Sequence, residues 1–148
     1  MGCGAGASIG ARVGRPDRRI ILITGDGSFR MNCNELATME HYGLPVIIVV
    51  MNNGVLGMVR QWQTVFYGKR YSQTNLDRGP DFCKLAEAYG LKGSCVNSLE
   101  EFERAFEQAL ASETATVIDC HISCDETVAP MVAPGKPITD FIIGEQHA

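Results

Sequence analysis

The sequence predicts an α/β fold in which a parallel β-sheet carries helices on both faces. Short apolar, β-branched runs alternate with stretches whose apolar residues recur at helical spacing. The run from Val46 to Asn52 is apolar along almost its whole length, which is typical of a strand covered on both faces. Strands that alternate with helices favour parallel pairing through helical crossovers. No repeat or low-complexity tract divides the chain, so we expect one domain over residues 1–148.

Local start and stop signals place the individual elements. Small residues fill the N-terminal segment, which suits a helix packed closely against a neighbour. Asn32 with Glu35, and Ser98 with Glu101, match the capping-box pattern at the start of a helix. In chain order, we predict a helix within 1–14, a buried strand at 19–24, a helix after Asn32, a strand at 46–52, a helix from about 56, a helix from 79 to 89, a strand at 91–96, a helix after Ser98, a strand at 115–122 and a short helix near the C-terminus.

Composition and charge exclude several classes of protein. Of the 148 residues, 45% are apolar and 20% are charged, as in a globular domain with its own core. A net charge of −4 gives no electrostatic reason to expect nucleic acid or an anionic membrane as partner. The longest apolar run, Val46 to Met51, is too short to span a bilayer. No leader is visible at the N-terminus, so we expect a cytoplasmic protein.

The six cysteines are expected to be reduced, because the sequence shows no sign of secretion and a chain of this length does not need disulfide bonds for stability. The group Cys120, His121 and Cys124 is not expected to bind a metal. Neighbouring strand residues point to opposite faces, and no CxxC pair supplies the remaining ligands.

Polar residues follow the first two predicted strands at the point where each ends. Asp26 comes directly after the first strand, and Asn52 and Asn53 end the second. Ligands of open parallel sheets bind outside the carboxyl ends of the strands, so these side chains are expected to converge. Carboxylate and amide oxygens suit Mg²⁺, which takes phosphate oxygens as further ligands.

Two glycines and a serine complete the predicted phosphate site. Gly25 and Gly27 let the backbone approach a ligand closely. The N–H groups of Gly27 and Ser28, in the turn that leads into a helix, can face phosphate oxygens. Asp-Gly and Asn-Asn-Gly are also ordinary turn sequences, and either alone would indicate a turn. Their position after consecutive strands favours a metal-bridged phosphate site.

The motif resembles a known family. Gly25-Asp26-Gly27 followed after 24 residues by Asn52-Asn53 matches the thiamine-diphosphate motif of thiamine-dependent enzymes. The flanking segments look like the large subunit of acetohydroxyacid synthase, also called acetolactate synthase: GDGSFRMNCNELAT, NNGVLGMVRQWQTVFYGKRYS and VAPMVAPG. The resemblance covers essentially the whole chain and corresponds to the C-terminal, diphosphate-binding domain alone. One departure is Gly4-Ala5-Gly6-Ala7, where the family usually has Gly-Leu-Pro-Ala.

The resemblance implies roles for individual residues. Asp26, the Asn53 side chain and the Val55 backbone carbonyl match the Mg²⁺ ligands. Val59 and Trp62 match positions that line the substrate channel. Cofactor contacts are implied for Met1, Gly25, Asp26, Gly27, Ser28, Asn53, Val55, Leu56, Gly57 and Met58.

The implied activity is that of a carboligase in branched-chain amino-acid biosynthesis. Such an enzyme decarboxylates pyruvate and condenses it with a second 2-oxoacid, using thiamine diphosphate and Mg²⁺, and the full-length family enzyme also carries FAD. The family's pyrimidine-binding and middle domains, and the activating glutamate of the former, match nothing in this chain. We therefore expect the chain to be inactive alone, to need a missing domain or subunit, and to form homo-oligomers.

Two other functions stay open on the sequence. The chain could be a separately encoded subunit of another split thiamine-dependent decarboxylase or carboligase. It could also be a non-catalytic nucleotide-binding module, because Gly2 to Ala7 superficially matches a dinucleotide fingerprint, although no strand precedes it.

Overall fold

A four-stranded parallel sheet forms the centre of the chain. In the computed structural model, which describes residues 1–76 and 79–143, the sheet order is β1-β2-β4-β3. The elements are α1 (Gly4–Gly14), β1 (Ile20–Gly25), α2 (Asp26–Phe29), a 3₁₀ turn (Cys33–Glu35), α3 (Leu36–His41), β2 (Val46–Asn52), α4 (Gly57–Phe66), α5 (Phe82–Ala88), β3 (Lys92–Val96), α6 (Leu99–Leu110), β4 (Thr116–His121), β5 (Met131–Val132) and β6 (Phe141–Ile142). The predicted α/β class and parallel pairing are confirmed.

Helices cover both faces of the sheet, as predicted. On one face, α1, α3 and α5 pack on β2 and β4 around buried residues that include Met39, Ile48 and Phe82. On the other face, α6 packs through Ala105 and Ala109 against the opposite sides of the same strands. The central strands β2 and β4 are therefore buried on both sides, which explains their nearly continuous apolar sequence.

Strand β1 differs from the prediction of a fully buried strand. It lies at the edge of the sheet, and its residues alternate between half-buried and exposed. Leu22 packs toward α1. Ile21 and Ile23 point to the opposite face of the sheet, where α6 covers the other strands but not β1. Ile23 is therefore 72% exposed. The apolar sequence of β1 thus leaves an open apolar surface beside α6.

Helix α1 forms although the chain lacks the Leu-Pro pair that is usual in the family it resembles. Its small residues allow close contact with β1: a Cβ atom at Gly4 would lie 2.8 Å from Cδ1 of Leu22. Ala5 is buried in the same contact region. The close packing predicted for this segment is confirmed.

One of the two predicted capping boxes is present. The Ser98 hydroxyl accepts the N–H of Glu101 at 3.2 Å, and the Glu101 carboxylate accepts the N–H of Asn97 at 2.7 Å. The box at Asn32 was a wrong prediction, because that side chain makes no cap bond. The Glu35 carboxylate instead accepts a hydrogen bond from the Thr38 hydroxyl at 2.8 Å, and a 3₁₀ turn precedes α3.

The prediction that all cysteines are reduced is also wrong. Cys83 on α5 and Cys95 on β3 form a disulfide, with Cα atoms 6.2 Å apart. Gly93 makes this possible, because a Cβ atom there would lie 2.6 Å from the Cys83 carbonyl oxygen. The sequence shows neither this close approach of helix and strand nor the resulting pairing. Cys120 and Cys124 are unpaired, as expected.

The segment after β4 contacts α4 and ends in a small antiparallel pair, β5 and β6, within the described residues. A terminal short helix was predicted; the structure has this pair instead, and residues 144–148 lie outside the described part. Across residues 1–76 and 79–143, no helix is long and apolar enough to cross a lipid bilayer.

Candidate functional site

The two polar strand ends predicted to converge lie at one edge of the sheet. Strands β1 and β2 are neighbours in parallel register, with Gly25 opposite Met51. Asp26 is the first residue of α2, directly after β1, while Asn52 ends β2 and Asn53 follows it. The carboxylate and the amides therefore leave adjacent strands at the same end.

The Asp26 carboxylate lies close to the tip of β2. It is only 6% exposed, and the backbone N–H groups of Gly27, of Asp26 itself and of Gly54 are near enough to favour its charged form. Burial raises the pKa of Asp26 above its ordinary value, these three N–H groups oppose that rise, and the nearby Asp119 carboxylate adds to it. Because Gly54 follows the end of β2, its influence on Asp26 shows that the two strand ends are close together.

No basic side chain neutralises Asp26 within the described part of the chain. The ion pairs there involve Asp17, Asp81, Asp119, Asp125 and Asp140, but not Asp26. A buried carboxylate without a counter-charge is costly, and binding a cation removes that cost.

Asn53 and Val55 face the same side of the loop that follows β2. Val55 pairs with Asn75 through the bonds Leu56 N–H to Thr74 O and Leu76 N–H to Gly54 O, both 2.8 Å. In such a pair the N–H and C=O of Val55 itself point away from the partner segment. The Val55 N–H meets Oδ1 of Asn53 at 3.1 Å, so the Val55 carbonyl is directed to the side where Asn53 lies.

Two glycines permit the close packing around these groups. A Cβ atom at Gly57 would lie 2.7 Å from Nδ2 of Asn53, so any side chain there would displace that amide. A Cβ atom at Gly27 would lie 3.2 Å from Leu56 and 3.3 Å from Leu76. Glycine at position 57 therefore leaves room for the Asn53 amide, and glycine at position 27 lets Leu56 and Leu76 lie against α2.

The N-terminal residues lie beside α2. The Gly2 N–H donates to Oγ of Ser28 at 2.9 Å, which places the segment next to the predicted phosphate-facing turn. Met1, predicted to contact a cofactor, is 82% exposed in this chain. Gly25 is also exposed at the mouth of the site.

Helix α4 presents an apolar stripe to solvent. Met58, Val59 and Trp62 are each more than two-fifths exposed, and Phe66 continues the row. Leu56, just before the helix, is half-buried against Gly27. The residues predicted to line a channel thus share one open surface beside the strand tips.

The opposite side of α4 is fixed to the segment after β4. The buried Gln61 side chain makes two hydrogen bonds with the backbone of Val128, at 2.8 and 2.9 Å. Arg60 binds Asp125 through Nε and Nη2 at 2.9 and 2.7 Å and stacks 4.0 Å from the ring centroid of Tyr71. These contacts line a cavity of about 200 Å³.

Sequence reasoning missed Gln61 and Asp119. In the sequence, Gln61 stands only as part of the segment that resembles the family, and its spacing cannot reveal a partner 67 residues away. Asp119 carried a usable signal, because a carboxylate in the middle of an otherwise apolar strand is expected to have a specific partner.

Comparison with known proteins gives a consistent result. Residues 1–120 match the family model described as "Thiamine pyrophosphate enzyme, C-terminal TPP binding domain". The chain is 46% identical over 143 residues to the acetolactate synthase large subunit of Porphyra purpurea, covering 96% of this chain and 24% of that protein. It is 44% identical over 147 residues to a probable acetolactate synthase large subunit of Methanococcus aeolicus, covering 99% of this chain and 24% of that protein.

A solved structure shares the fold. The thiamine diphosphate-dependent 4-hydroxybenzoylformate decarboxylase of Rhodococcus jostii RHA1 aligns with a TM-score of 0.79 and 35% identity, over 86% of this chain and 24% of that one. The chain spans about a quarter of the length of each of these relatives. It belongs to the family of thiamine pyrophosphate enzymes, in which it corresponds to the C-terminal TPP binding domain.

Proposed function

We propose that this chain binds the diphosphate half of thiamine diphosphate through Mg²⁺, as the C-terminal domain of an acetolactate synthase. The Asp26 carboxylate, the Asn53 side-chain oxygen and the Val55 carbonyl would hold the cation. The observation that carries the proposal is the buried Asp26 carboxylate, which lies beside the tip of β2 and has no basic partner in the described residues.

The donor set fits the cation and its diphosphate. One carboxylate, one amide oxygen and one carbonyl are hard ligands of the kind that Mg²⁺ takes while it retains phosphate oxygens. Backbone at Gly25, Gly27 and Ser28 would face the diphosphate, while Leu56, Gly57 and Met58 would approach the pyrimidine ring together with Met1. When bound, thiamine diphosphate would supply the electron sink for cleavage of the carbon–carbon bond next to a carbonyl group. The role of this chain would be to hold the cofactor in position.

The proposed reaction is the decarboxylation of pyruvate and its condensation with a second 2-oxoacid, a step of branched-chain amino-acid biosynthesis in the cytoplasm. The exposed stripe with Val59 and Trp62 supports this, because an apolar surface beside the strand tips suits a channel for small oxoacids. The identity to acetolactate synthases at 44–46% supports it as well. FAD would belong to the full-length enzyme.

The remaining domains are proposed to be required for turnover. The relatives are about four times as long as this chain, and the activating glutamate is proposed to come from the pyrimidine-binding domain that these 148 residues do not supply. We expect the purified chain to form no acetolactate from pyruvate in a colorimetric assay. Production of acetolactate by the isolated chain would contradict this.

Association through the open face of β1 is part of the proposal. Ile21 and Ile23 form an exposed apolar row at a sheet edge, a surface that favours partners. Ile23→Lys should reduce the self-association of the chain in sedimentation-velocity runs. A sedimentation profile that matches the wild type would argue against this surface.

Calorimetric titration of thiamine diphosphate in the presence of Mg²⁺ tests the cofactor site. Asp26→Ala removes the one charged ligand and should abolish Mg²⁺-dependent binding. Asp17→Ala is the matched control, since Asp17 is an exposed carboxylate that precedes β1 at the other end of the strand. Undiminished Mg²⁺-dependent binding by Asp26→Ala, or no binding by the wild type, would refute the proposed site.

A thiamine-dependent decarboxylase is the second candidate. The structural likeness to the Rhodococcus jostii RHA1 decarboxylase favours it. When the chain is assayed with its missing domains restored, release of an aldehyde without a condensation product would support this alternative. Mg²⁺-independent binding of a dinucleotide would instead support a nucleotide-binding module.

A further inference from the structure

Asp119 is a buried carboxylate that the proposed ligand set does not use. It lies in β4 opposite Val50 of β2 and Cys95 of β3, and it is 2% exposed. A carboxylate in the centre of a sheet is retained only where it has specific partners, since its desolvation is otherwise expensive.

The partners of Asp119 lead to the tip of β2. Nδ2 of Asn52 donates to both carboxylate oxygens of Asp119, at 3.0 and 3.3 Å. Oδ1 of Asn52 then accepts the N–H of Gly54 at 3.2 Å. Gly54 has φ +67°, and its N–H is near enough to Asp26 to favour the charged form of that carboxyl group. One chain of hydrogen bonds thus runs from Asp119 through Asn52 to Gly54, which lies beside Asp26.

The other neighbour of Asp119 is His121. Its Nε2 lies 3.3 Å from Oδ2 of Asp119, and its Nδ1 lies 3.1 Å from Oδ1 of Asn97. The His121 side chain is half-exposed, whereas that of Asp119 is enclosed. Within the described residues, neither lysine nor arginine pairs with Asp119 or Asp26.

We propose that Asp119 is a positioning residue for the cation site. Through Asn52 it fixes the turn from Asn52 to Val55, so that Asn53 and Val55 face Asp26. Its negative charge also adds to the attraction of the site for a divalent cation. This role rests on the proposed function, since the turn it orients carries two of the three proposed ligands.

The expected effect follows from the kind of contact involved. Residues that orient metal ligands through hydrogen bonds typically change metal affinity about 10–100-fold when they are removed. Asp119→Asn keeps the size of the side chain and one acceptor oxygen but removes the charge. We therefore expect roughly tenfold weaker binding of the cation, at the low end of that range.

The experiment uses Mn²⁺ as the probe, with thiamine diphosphate present, and follows free Mn²⁺ by electron paramagnetic resonance. Asp119→Asn should bind Mn²⁺ about tenfold more weakly, and Asn52→Ala, which cuts the same link and leaves Asp119 in place, should show a similar loss. The double exchange Asn52→Asp with Asp119→Asn restores an amide–carboxylate pair and should recover much of the affinity. Asp17→Asn, an exposed site, is the control.

A readout without any ligand separates positioning from general destabilisation. In ¹⁵N-resolved spectra of the metal-free chain, the Gly54 amide should shift in Asp119→Asn and in Asn52→Ala, while amides of α6 stay in place. Unchanged Mn²⁺ affinity in both single variants, or an unmoved Gly54 amide, overturns the role of Asp119. Failure of the wild type to bind Mn²⁺ overturns the proposed function, and this role with it.

Discussion

Replacing Asp26 with asparagine should change the stability of the chain in opposite directions with and without cation. Asp26→Asn keeps the side-chain shape and an oxygen near the N–H groups of Gly27 and Gly54, but it removes a buried charge. Without cation at neutral pH, the variant should therefore be at least as stable as the wild type. With Mg²⁺ and thiamine diphosphate, only the wild type should gain stability.

The magnitude follows from linkage. A ligand present at about 100 times its dissociation constant stabilises the folded state by about 2.7 kcal/mol. Unfolding entropy of about 2.1 cal/mol/K per residue gives roughly 0.3 kcal/mol/K for a chain of this length. The wild type should then melt about 9 °C higher with the ligands than without them, and the variant should show almost no shift.

The pH dependence has a definite sign. Burial raises the pKa of Asp26 in the folded chain above its ordinary value of 3.8, so the folded state binds this proton more tightly than the unfolded state does. In the absence of cation, Asp26 therefore costs stability as pH rises from the unfolded pKa through the folded pKa. The ligand-induced shift should follow the reverse course, because the proton competes with Mg²⁺ and the shift disappears as pH falls through the folded pKa.

Differential scanning calorimetry between pH 4 and pH 8, with and without ligands, measures both effects. Asp17→Asn, an exposed carboxylate, should behave like the wild type. If Asp26→Asn melts several degrees lower than the wild type without ligands and still keeps the ligand-induced shift, the carboxylate is a structural hydrogen-bond acceptor and the reasoning fails.

Three further substitutions test separate contacts. Gly57→Ala places a Cβ atom 2.7 Å from Nδ2 of Asn53, so the Asn53 amide must move. Mn²⁺ binding should therefore weaken about tenfold, while the melting temperature of the metal-free chain changes little. An affinity equal to that of the wild type would show that the amide moves without affecting the site. Gln61→Ala loses two hydrogen bonds to the segment after β4, so limited proteolysis should cut that segment faster than in the wild type. The double variant Cys83→Ser with Cys95→Ser removes the disulfide, whose cysteines have a sequence separation of 12. In urea unfolding without reductant, its free energy of unfolding should be about 3 kcal/mol lower than that of the wild type. With dithiothreitol, the difference between the two proteins should vanish.

The central strands and the relative placement of the candidate site residues could be predicted because local signals determine them. Strand β2 is apolar along its length, and the residues at its end are polar, so both its burial and its exposed tip follow from sequence. Parallel neighbours then place Asp26 and Asn53 at one edge without further information. Helix α6 is equally local, since Ser98 and Glu101 cap it through contacts three and four residues apart.

The features that could not be predicted depend on distant partners. Ile21 and Ile23 are apolar and look like core residues in the sequence. They are exposed because α6 packs on the other strands of the sheet, and the sequence does not show where α6 packs. The disulfide depends on Gly93 admitting the backbone of α5. The bond from Asn52 to Asp119 joins residues 67 positions apart, and no motif spacing reveals it.

Several features that cost this chain stability lie near the carboxyl ends of the strands. Burial raises the pKa of the Asp26 carboxyl group, the buried Asp119 in the neighbouring part of β4 adds to that rise, and the apolar stripe of α4 is exposed. A fold selected for stability alone would place apolar or paired groups there. A divalent cation offsets the first cost, and a covering surface offsets the second. The proposed cation, diphosphate and adjoining domain would therefore offset both costs at the same end of the sheet.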